Sequence, residues 1–198
     1  LNHITKANNE VHSYQWVREP NRGTELSGKT VALIAYGNTA QAFARILSGF
    51  NVTVLAYDKY YNGFPDGFVT EATLQQIFDQ ADVVSLHLPL TAETTYMIDE
   101  AFLSSFKKPY WLLNTSRGKV LNTAALVKAL DSGKVLGAAL DVLENEKLNT
   151  LTEKQKADLD TLLNKPNVLV TPHIAGWTHE SKQRIAEVLL EKIRKVYS

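Results

Sequence analysis

The sequence predicts an α/β fold, in which a doubly wound parallel sheet carries helices on both faces. Short apolar runs alternate along the 198 residues with segments of helical periodicity. Several runs, such as residues 31–35 and 135–140, are continuously apolar rather than alternating with polar residues. Strands that are buried on both faces have this composition, so we expect a parallel sheet between two layers of helices.

The predicted elements follow one another in a regular order. Each predicted strand is a short apolar run, and the predicted helices repeat apolar residues three and four positions apart. Asn122 precedes one helix and is its predicted N-cap. We predict strands at residues 30–35, 51–57, 81–88, 109–114, 135–142 and 167–172, and helices at residues 1–19, 38–48, 73–80, 123–130, 151–163 and 180–197.

The composition limits the possible partners. The 21 basic residues balance the 21 acidic ones, which argues against a broad nucleic-acid or anionic membrane surface. No apolar run approaches the roughly 18 residues of a membrane span. The absence of cysteine excludes disulfides and thiolate chemistry and favours a cytoplasmic location. No motif predicts a metal site.

The first strand leads into a helix through a loop that resembles a dinucleotide-binding loop. The pattern G-x-G-x-x-G is replaced here by Ala35, Gly37 and Ala40 at the three glycine positions. Gly37 would let the backbone approach a pyrophosphate, and the helix that begins at Asn38 would offer free N–H groups. Ala35 is the main departure, because an alanine at positive φ is strained by about 1 kcal/mol or more.

Asp58 supplies the second half of the pattern. It closes the second strand, at the place where an acidic residue hydrogen-bonds the ribose 2′-hydroxyl of a dinucleotide. A carboxylate there repels a 2′-phosphate and so favours NAD over NADP, whereas the neighbouring Lys59 is a weak indication of NADP. The alternative is a simple glycine turn followed by a surface aspartate. The loop and Asp58 together favour a Rossmann-type nucleotide site.

Three further strand ends carry candidate catalytic residues. Arg117 follows the strand at 109–114, Glu146 follows the next strand, and His173 follows the last one. Each residue alone has an ordinary explanation, as a loop ion pair, a solvent-facing acid or a helix cap. Because the carboxyl ends of parallel strands face one crevice, the three together favour a catalytic site.

Several segments carry a resemblance to a known family. They are, in order, "VALIAYGNTAQAFA", "YD", "SLHLPLTAET", "LLNTSRGKV", "GAALDVLENE" and "TPHIAGWT". Together they resemble the NAD-binding domain of the D-isomer-specific 2-hydroxyacid dehydrogenases, and the resemblance covers nearly the whole chain. Within that family it is nearest to bacterial D-3-phosphoglycerate dehydrogenases of the short type, which oxidise D-3-phosphoglycerate to 3-phosphohydroxypyruvate in serine biosynthesis.

The resemblance implies a role for each candidate catalytic residue. Arg117 would bind the carboxylate of a 2-oxo acid, for which its planar fork is suited. His173 would exchange a proton with the 2-hydroxyl group, while Glu146 fixes the imidazole tautomer and raises its pKa. Glu146 lies five residues after Asp141, which fits the family spacing, although Lys147 stands where the family usually has proline.

The resemblance also implies a set of cofactor contacts. Asp141 would bond the nicotinamide carboxamide, and His87 would lie close to the cofactor rather than act as a catalyst. Trp177 would either wall the substrate pocket or pack at a domain or subunit junction. The predicted cofactor-binding residues are Tyr36, Gly37, Asn38, Thr39, Asp58, His87, Pro89, Thr94, Thr115, Ser116, Asp141 and Gly176.

Family members carry a second, substrate-side domain, which we expect to be absent from this chain. Residues 1–19 would be the remnant of an interdomain helix, residues 20–178 the dinucleotide-binding domain, and residues 179–198 a helix that returns toward the substrate domain. We therefore expect weak NAD binding without turnover of a 2-hydroxy acid. The family pairs through this domain, which implies a homodimer.

Three other interpretations remain open. The substrate could be that of a glyoxylate/hydroxypyruvate reductase or of a D-lactate-type dehydrogenase. A different class is an NAD(H)-sensing corepressor that uses the same domain for dimerisation. A third is a degenerate domain that has lost its cofactor, which Ala35 suggests.

Overall fold

A computed structural model of the protein describes residues 1, 3–64 and 67–197, which form a seven-stranded sheet with helices on both faces. The strands are β1 (Thr30–Ile34), β2 (Thr53–Tyr57), β3 (Val69–Glu71), β4 (Val83–Leu86), β5 (Tyr110–Asn114), β6 (Val135–Leu140) and β7 (Val168–Val170). The helices are α1 (Ile4–His12), α2 (Asn38–Leu47), α3 (Leu74–Gln80), α4 (Glu100–Ser104), α5 (Thr123–Asp131), α6 (Glu153–Leu163) and α7 (His179–Tyr197).

The sheet is parallel throughout its paired strands and has the order β3-β2-β1-β4-β5-β6-β7. The direction of winding reverses between β1 and β4, because β1 pairs with β2 on one side and β4 on the other. In such sheets ligands bind beyond the carboxyl ends of the strands at this switch point. The predicted fold class is confirmed.

The two faces of the sheet are covered unequally. The larger hydrophobic cluster includes core residues of α3, α4, α5 and α6, and the smaller one includes the buried face of α2. On the α2 side, Leu136 of β6 and Leu169 of β7 remain 39% and 47% exposed. The helix α2 therefore covers the β1–β2 half of this face, whereas Leu136 and Leu169 stay partly exposed beside a groove that is also lined by α1.

The ends of the chain differ from the rest of the domain. The prediction of a helix over residues 1–19 is wrong in extent, since α1 ends at His12. Tyr14 has a φ of 58°, and the amide of Gln15 bonds back to Glu10 at 2.9 Å, which ends the helix well before Pro20. The last helix, α7, has no buried residue. Among the described residues, no helix is both long and apolar enough to cross a membrane.

Candidate active site

The carboxyl ends of β4, β5, β6 and β7, together with the first half of α2, form one cleft of about 790 Å³. Its walls contain residues from each of these strand ends, so that segments far apart in the sequence meet there. Predicted site residues in the lining are Thr39, His87, Thr115, Asp141, His173 and Gly176, and the ring of Trp177 lies among them.

The loop from β1 to α2 keeps the backbone conformation of a glycine turn. Ala35 has a φ of 69°, in the left-handed region that favours glycine. Gly37 is the N-cap of α2 with a φ of −81°, and a Cβ atom on it would meet no atom of the described residues within 4 Å. Because the first amides of a helix lack intrahelical acceptors, the exposed start of α2 at Asn38 and Thr39 can offer N–H donors to a ligand.

Asp58 connects this loop to the end of β2. Its Oδ2 accepts the Tyr36 amide at 2.8 Å, and its Oδ1 accepts the amides of Tyr60 and Tyr61 at 2.8 and 3.0 Å. Since each carboxylate oxygen can accept two hydrogen bonds, Oδ2 retains capacity for a ribose hydroxyl. The Tyr36 ring is buried against Phe64, with centroids 4.3 Å apart, and the Tyr36 backbone amide faces Asp58.

His87 is held as a neutral imidazole at the edge of the cleft. Its Nε2 lies 3.0 Å from the Ser85 hydroxyl and its Nδ1 lies 3.4 Å from the Thr39 hydroxyl. Burial lowers the pKa of His87 from 6.5 to about 4. At neutral pH this ring therefore offers hydrogen bonds rather than a positive charge.

His173 and Glu146 form a pair at the mouth of the cleft. The His173 Nδ1 atom lies 3.1 Å from Oε1 and 3.2 Å from Oε2 of Glu146. A carboxylate at Nδ1 favours the tautomer that has its proton there, which leaves Nε2 to exchange a proton. Both side chains are about half exposed, at 48% and 47%, so the pair can reach a ligand in the cleft.

Asp141 holds the backbone that presents His173. Its Oδ1 accepts from the Thr171 hydroxyl at 2.6 Å and the Ile174 amide at 2.8 Å, and its Oδ2 accepts from the Ala175 amide at 2.8 Å. Burial raises the pKa of Asp141, but these hydrogen bonds together lower it below its ordinary value. The carboxylate is therefore ionised and fixes the turn, in which His173 has a φ of 57°. The motifs did not reveal this role, although Asp141 was among the predicted residues.

Arg117 lies on a tight turn after β5. The buried Asn114 accepts from the Ser116 amide and hydroxyl at 3.0 and 2.8 Å and donates to the Arg117 carbonyl at 3.1 Å. The Ser116 side chain is thus engaged within the turn. The guanidinium is exposed, donates to the Ser116 carbonyl at 2.7 Å, and is not among the residues that line the cleft.

Gly118 lets the turn that carries Arg117 pack against the loop that leads to Glu146. The sequence did not single out this glycine. A Cβ atom on Gly118 would lie 1.7 Å from the carbonyl oxygen of Leu143 and 2.7 Å from the amide nitrogen of Glu144. Only glycine permits this approach of the two backbones. The available signal was the glycine that directly follows the arginine in "NTSRG".

Pro89 and Thr94 belong to the loop after β4. The buried Thr94 hydroxyl donates to the Pro89 carbonyl at 2.6 Å and accepts from the Thr91 amide at 2.9 Å. Neither residue is among those that line the cleft. The Thr94 side chain therefore stabilises the loop, and its predicted contact with a cofactor stays a prediction.

These features fit a dinucleotide that extends from the end of β2 across α2 into the cleft. The spare acceptor on Asp58 suits a ribose hydroxyl, and the open space beside Gly37 suits a pyrophosphate at the helix N-terminus. The cleft then continues to His173 at its far wall. Asp58 also fits NAD better than NADP, because a carboxylate repels a phosphate.

Comparisons with known proteins agree on one family. A family model described as the NAD-binding domain of D-isomer specific 2-hydroxyacid dehydrogenases matches residues 1–175. The chain is 39% identical over 194 residues to a glyoxylate reductase of Thermofilum pendens, covering 93% of this chain and 54% of that protein. It is 34% identical over 183 residues to a D-lactate dehydrogenase of Staphylococcus aureus, covering 90% of this chain and 55% of that protein. The chain spans about half the length of these curated relatives.

Solved structures share the fold and include complexes with NAD. A D-isomer specific 2-hydroxyacid dehydrogenase from Lactobacillus delbrueckii ssp. bulgaricus, in its NAD complexed form, has a TM-score of 0.82 and 33% identity, covering 99% of this chain and 63% of that one. A D-lactate dehydrogenase from Aquifex aeolicus, complexed with NAD and lactic acid, has a TM-score of 0.86 and 29% identity, covering 98% and 61%. The chain that carries the β1–α2 loop, Asp58 and the cleft beside His173 therefore belongs to the D-isomer specific 2-hydroxyacid dehydrogenases, and it matches their NAD-binding domain.

Proposed function

We propose that this chain is the cofactor-binding and catalytic half of an NAD-dependent D-2-hydroxyacid dehydrogenase, with Arg117, Glu146 and His173 as its catalytic residues. The observation that carries the proposal is the Glu146–His173 pair, 3.1 Å apart at the mouth of the cleft. A carboxylate–imidazole pair is suited to moving one proton near neutral pH. Bound NAD would supply the hydride acceptor for the oxidation of the 2-hydroxy acid.

In this proposal His173 takes the proton of the 2-hydroxyl group on its Nε2 atom. The Nδ1 proton stays hydrogen-bonded to Glu146, whose negative charge stabilises the imidazolium that forms. In the reverse direction the same Nε2 atom returns the proton to the carbonyl oxygen. Arg117 would leave the Ser116 carbonyl and bind the substrate carboxylate through two parallel hydrogen bonds.

For the substrate we propose a small 2-oxo acid such as glyoxylate or pyruvate, with the corresponding hydroxy acid as the reduced form. The names of the relatives, a glyoxylate reductase and a D-lactate dehydrogenase, support this class. D-3-phosphoglycerate, which the sequence resemblance favoured, has no counterpart among the relatives described above. It remains a test substrate in the comparison below.

The substrate proposal is tested with a full-length protein that carries this chain. NADH oxidation is followed with glyoxylate, pyruvate, hydroxypyruvate and 3-phosphohydroxypyruvate as alternative acceptors. We expect the highest kcat/KM for glyoxylate or pyruvate. A preference of more than about tenfold for 3-phosphohydroxypyruvate would reject this substrate class and restore the phosphoglycerate assignment. The 198-residue chain alone is expected to bind NADH without turnover.

The catalytic roles are tested separately from the substrate. In the same full-length protein, Arg117→Ala and His173→Ala should each lower kcat/KM by about 100-fold or more while NADH affinity stays within about twofold. Matched controls are Arg45→Ala and His179→Ala, which remove the same side-chain types from exposed helix positions. Loss of NADH affinity without a catalytic defect would contradict the roles proposed here.

We further propose that the chain forms a homodimer through this domain. Large apolar side chains are exposed within residues 91–111 and 145–163, with Tyr96 at 39%, Leu148 at 59% and Leu163 at 52% exposure. Exposed apolar side chains of this kind are typical of subunit contacts. Light scattering after size-exclusion chromatography should give twice the 22.1 kDa chain mass. A monomer at all concentrations up to about 100 µM would contradict the dimer.

A further inference from the structure

Lys59 presents a difficulty for the cofactor preference. It directly follows Asp58, and its flexible four-carbon stem would let its ammonium group reach a phosphate on the 2′ position of the adenosine ribose. A lysine in this place would offset the repulsion by Asp58 and favour NADP. Something else must hold Lys59 if the site is to prefer NAD.

Glu93 is the group that holds Lys59. The Lys59 Nζ atom forms an ion pair with Oε1 of Glu93, and the Tyr60 hydroxyl donates to Oε2 of the same carboxylate. Glu93 lies in the loop after β4, whereas Lys59 and Tyr60 lie in the turn after β2. The hydrogen bond with Glu93 raises the pKa of Lys59, and the bond with Lys59 lowers the pKa of Glu93, so both partners stay charged at neutral pH.

The Asp58 carboxylate fixes the backbone of the turn that carries Lys59. The Asp58 Oδ1 atom accepts the amides of Tyr60 and Tyr61, so that the backbone at Lys59 is held at the end of β2. The Lys59 side chain can then move only about its own rotatable bonds. Glu93 binds the far end of that side chain, across the gap between the two loops.

We propose that Glu93 is a cofactor-specificity residue, which favours NAD by keeping the Lys59 ammonium away from the ribose 2′ position. With Glu93 present, the three side chains Asp58, Lys59 and Glu93 sum to one negative charge, which opposes a 2′-phosphate. Without it, the sum is zero and Lys59 is free to pair with the phosphate through a charge-assisted hydrogen bond. The proposal concerns cofactor choice alone and does not depend on which 2-oxo acid the protein reduces.

The first experiment measures binding rather than activity. The purified chain is titrated with NADH and with NADPH, and the quenching of protein fluorescence gives each Kd. Glu93→Gln removes the charge but keeps the size of the side chain. Because the released pair is exposed to solvent, we expect a moderate effect, in which the Kd for NADPH falls about three- to tenfold and that for NADH changes less than about twofold.

The second variant tests whether Lys59 itself carries the gain in NADPH affinity. The double variant K59M/E93Q should return the NADPH to NADH ratio to the wild-type value or beyond it. Glu100→Gln is the matched control, because Glu100 forms an exposed ion pair with Lys128 at 2.7 Å on α4 and should leave the ratio unchanged. Adenosine 2′,5′-bisphosphate and AMP serve as a second pair of probes that lack the nicotinamide.

Two results would overturn the proposal. One is a Glu93→Gln variant that melts at the wild-type temperature and has an unchanged ratio of NADPH to NADH affinity. That result would leave the cofactor preference to Asp58. The other is a gain in NADPH affinity that survives in K59M/E93Q, which would show that Lys59 is not the group that pairs with the 2′-phosphate. Neither result bears on substrate turnover, so the proposed catalytic roles can stand or fall separately.

Discussion

Ala35 carries strain that a glycine would remove. Its φ of 69° places an L-residue in the left-handed region, at a turn where the dinucleotide pattern has glycine. Replacement by glycine relieves the contact between Cβ and the backbone, so Ala35→Gly should raise the free energy of unfolding by about 1 kcal/mol. Urea denaturation measures this change. A decrease in stability would show that burial of the Ala35 methyl group outweighs the strain.

Gly37 has a φ of −81°, which any residue can adopt. The missing side chain at this position therefore points to a ligand. Because a Cβ atom there would meet no atom within 4 Å in the part of the chain that the structure describes, Gly37→Ala should fold with an unchanged melting temperature. The added methyl group would occupy the space beside the first turn of α2, so NADH affinity should fall about tenfold or more. Calorimetric titration of both chains measures it. Equal affinities would place the pyrophosphate elsewhere.

His87 makes the stability of the domain sensitive to acid. Since folding lowers its pKa from 6.5 to about 4, the unfolded chain binds the proton more tightly, and stability falls as the pH drops from about 6.5 toward 4. Between pH 7 and pH 5 this one group should cost about 2 kcal/mol. His87→Gln keeps a side chain that can hydrogen-bond Ser85 and Thr39 but removes the titration.

The measurement for His87 is a difference between two proteins. Urea denaturation of wild type and His87→Gln is compared at pH 7 and pH 5, because carboxylates whose pKa values are lowered, such as Asp82 and Asp141, also reduce stability in acid. These contributions cancel in the comparison. An equal loss of stability in both proteins would mean that His87 takes up its proton in the folded chain.

At the scale of elements, two loops must pack backbone against backbone to assemble the site. Gly118→Ala should separate the turn that carries Arg117 from Leu143 and lower the free energy of unfolding by about 1–3 kcal/mol, since the new Cβ would lie 1.7 Å from a carbonyl oxygen. Gly49→Ala is the control, because its Cβ would meet the nearest atom only at 3.7 Å. Thermal unfolding compares the two variants, and equal melting temperatures would argue against this close packing.

Periodicity predicted most elements but failed where elements are short. The helix α2 and the N-cap of α5, where Asn122 accepts the Ala125 amide at 2.9 Å, agree with the sequence. The strand β3 has three residues and the helix α4 has five, too few to show a repeat, and neither was predicted. Strand pairing with β2 and packing against α5 stabilise them, and those contacts are not local in the sequence.

The candidate site shows the same limit. Parallel topology predicted that Arg117, Glu146 and His173 would face one crevice, because all carboxyl ends share one edge. The structure places His173 in the lining of the cleft and Glu146 in contact with it, whereas Arg117 is not among the lining residues. Topology could not predict which side chains bind one another across loops. Glu93 meets Lys59 from a position 34 residues away, and no pattern of residue types indicates that contact.

At the scale of the whole molecule, α7 stands apart from the cooperative core. It spans 19 residues from His179 to Tyr197, yet none of its side chains is buried. An isolated helix of this length is marginally stable in water. Its amides should therefore exchange with deuterium orders of magnitude faster than those of β1, where four of five residues are fully buried. Mass spectrometry of exchanged peptides measures both rates, and equal protection would contradict this independence.

For the purified 198-residue chain, this difference should appear as a difference in resistance to proteolysis. A protease needs a locally unfolded segment, and α7 can unfold without breaking the sheet. Limited trypsin digestion should remove the chain after Arg184 or Lys192 within minutes while the segment up to Trp177 persists. Because Asp141 anchors the turn that ends just before this helix, the trimmed domain would keep His173 in place. In the purified 198-residue chain, the turn that carries His173 thus marks the end of the protease-resistant segment.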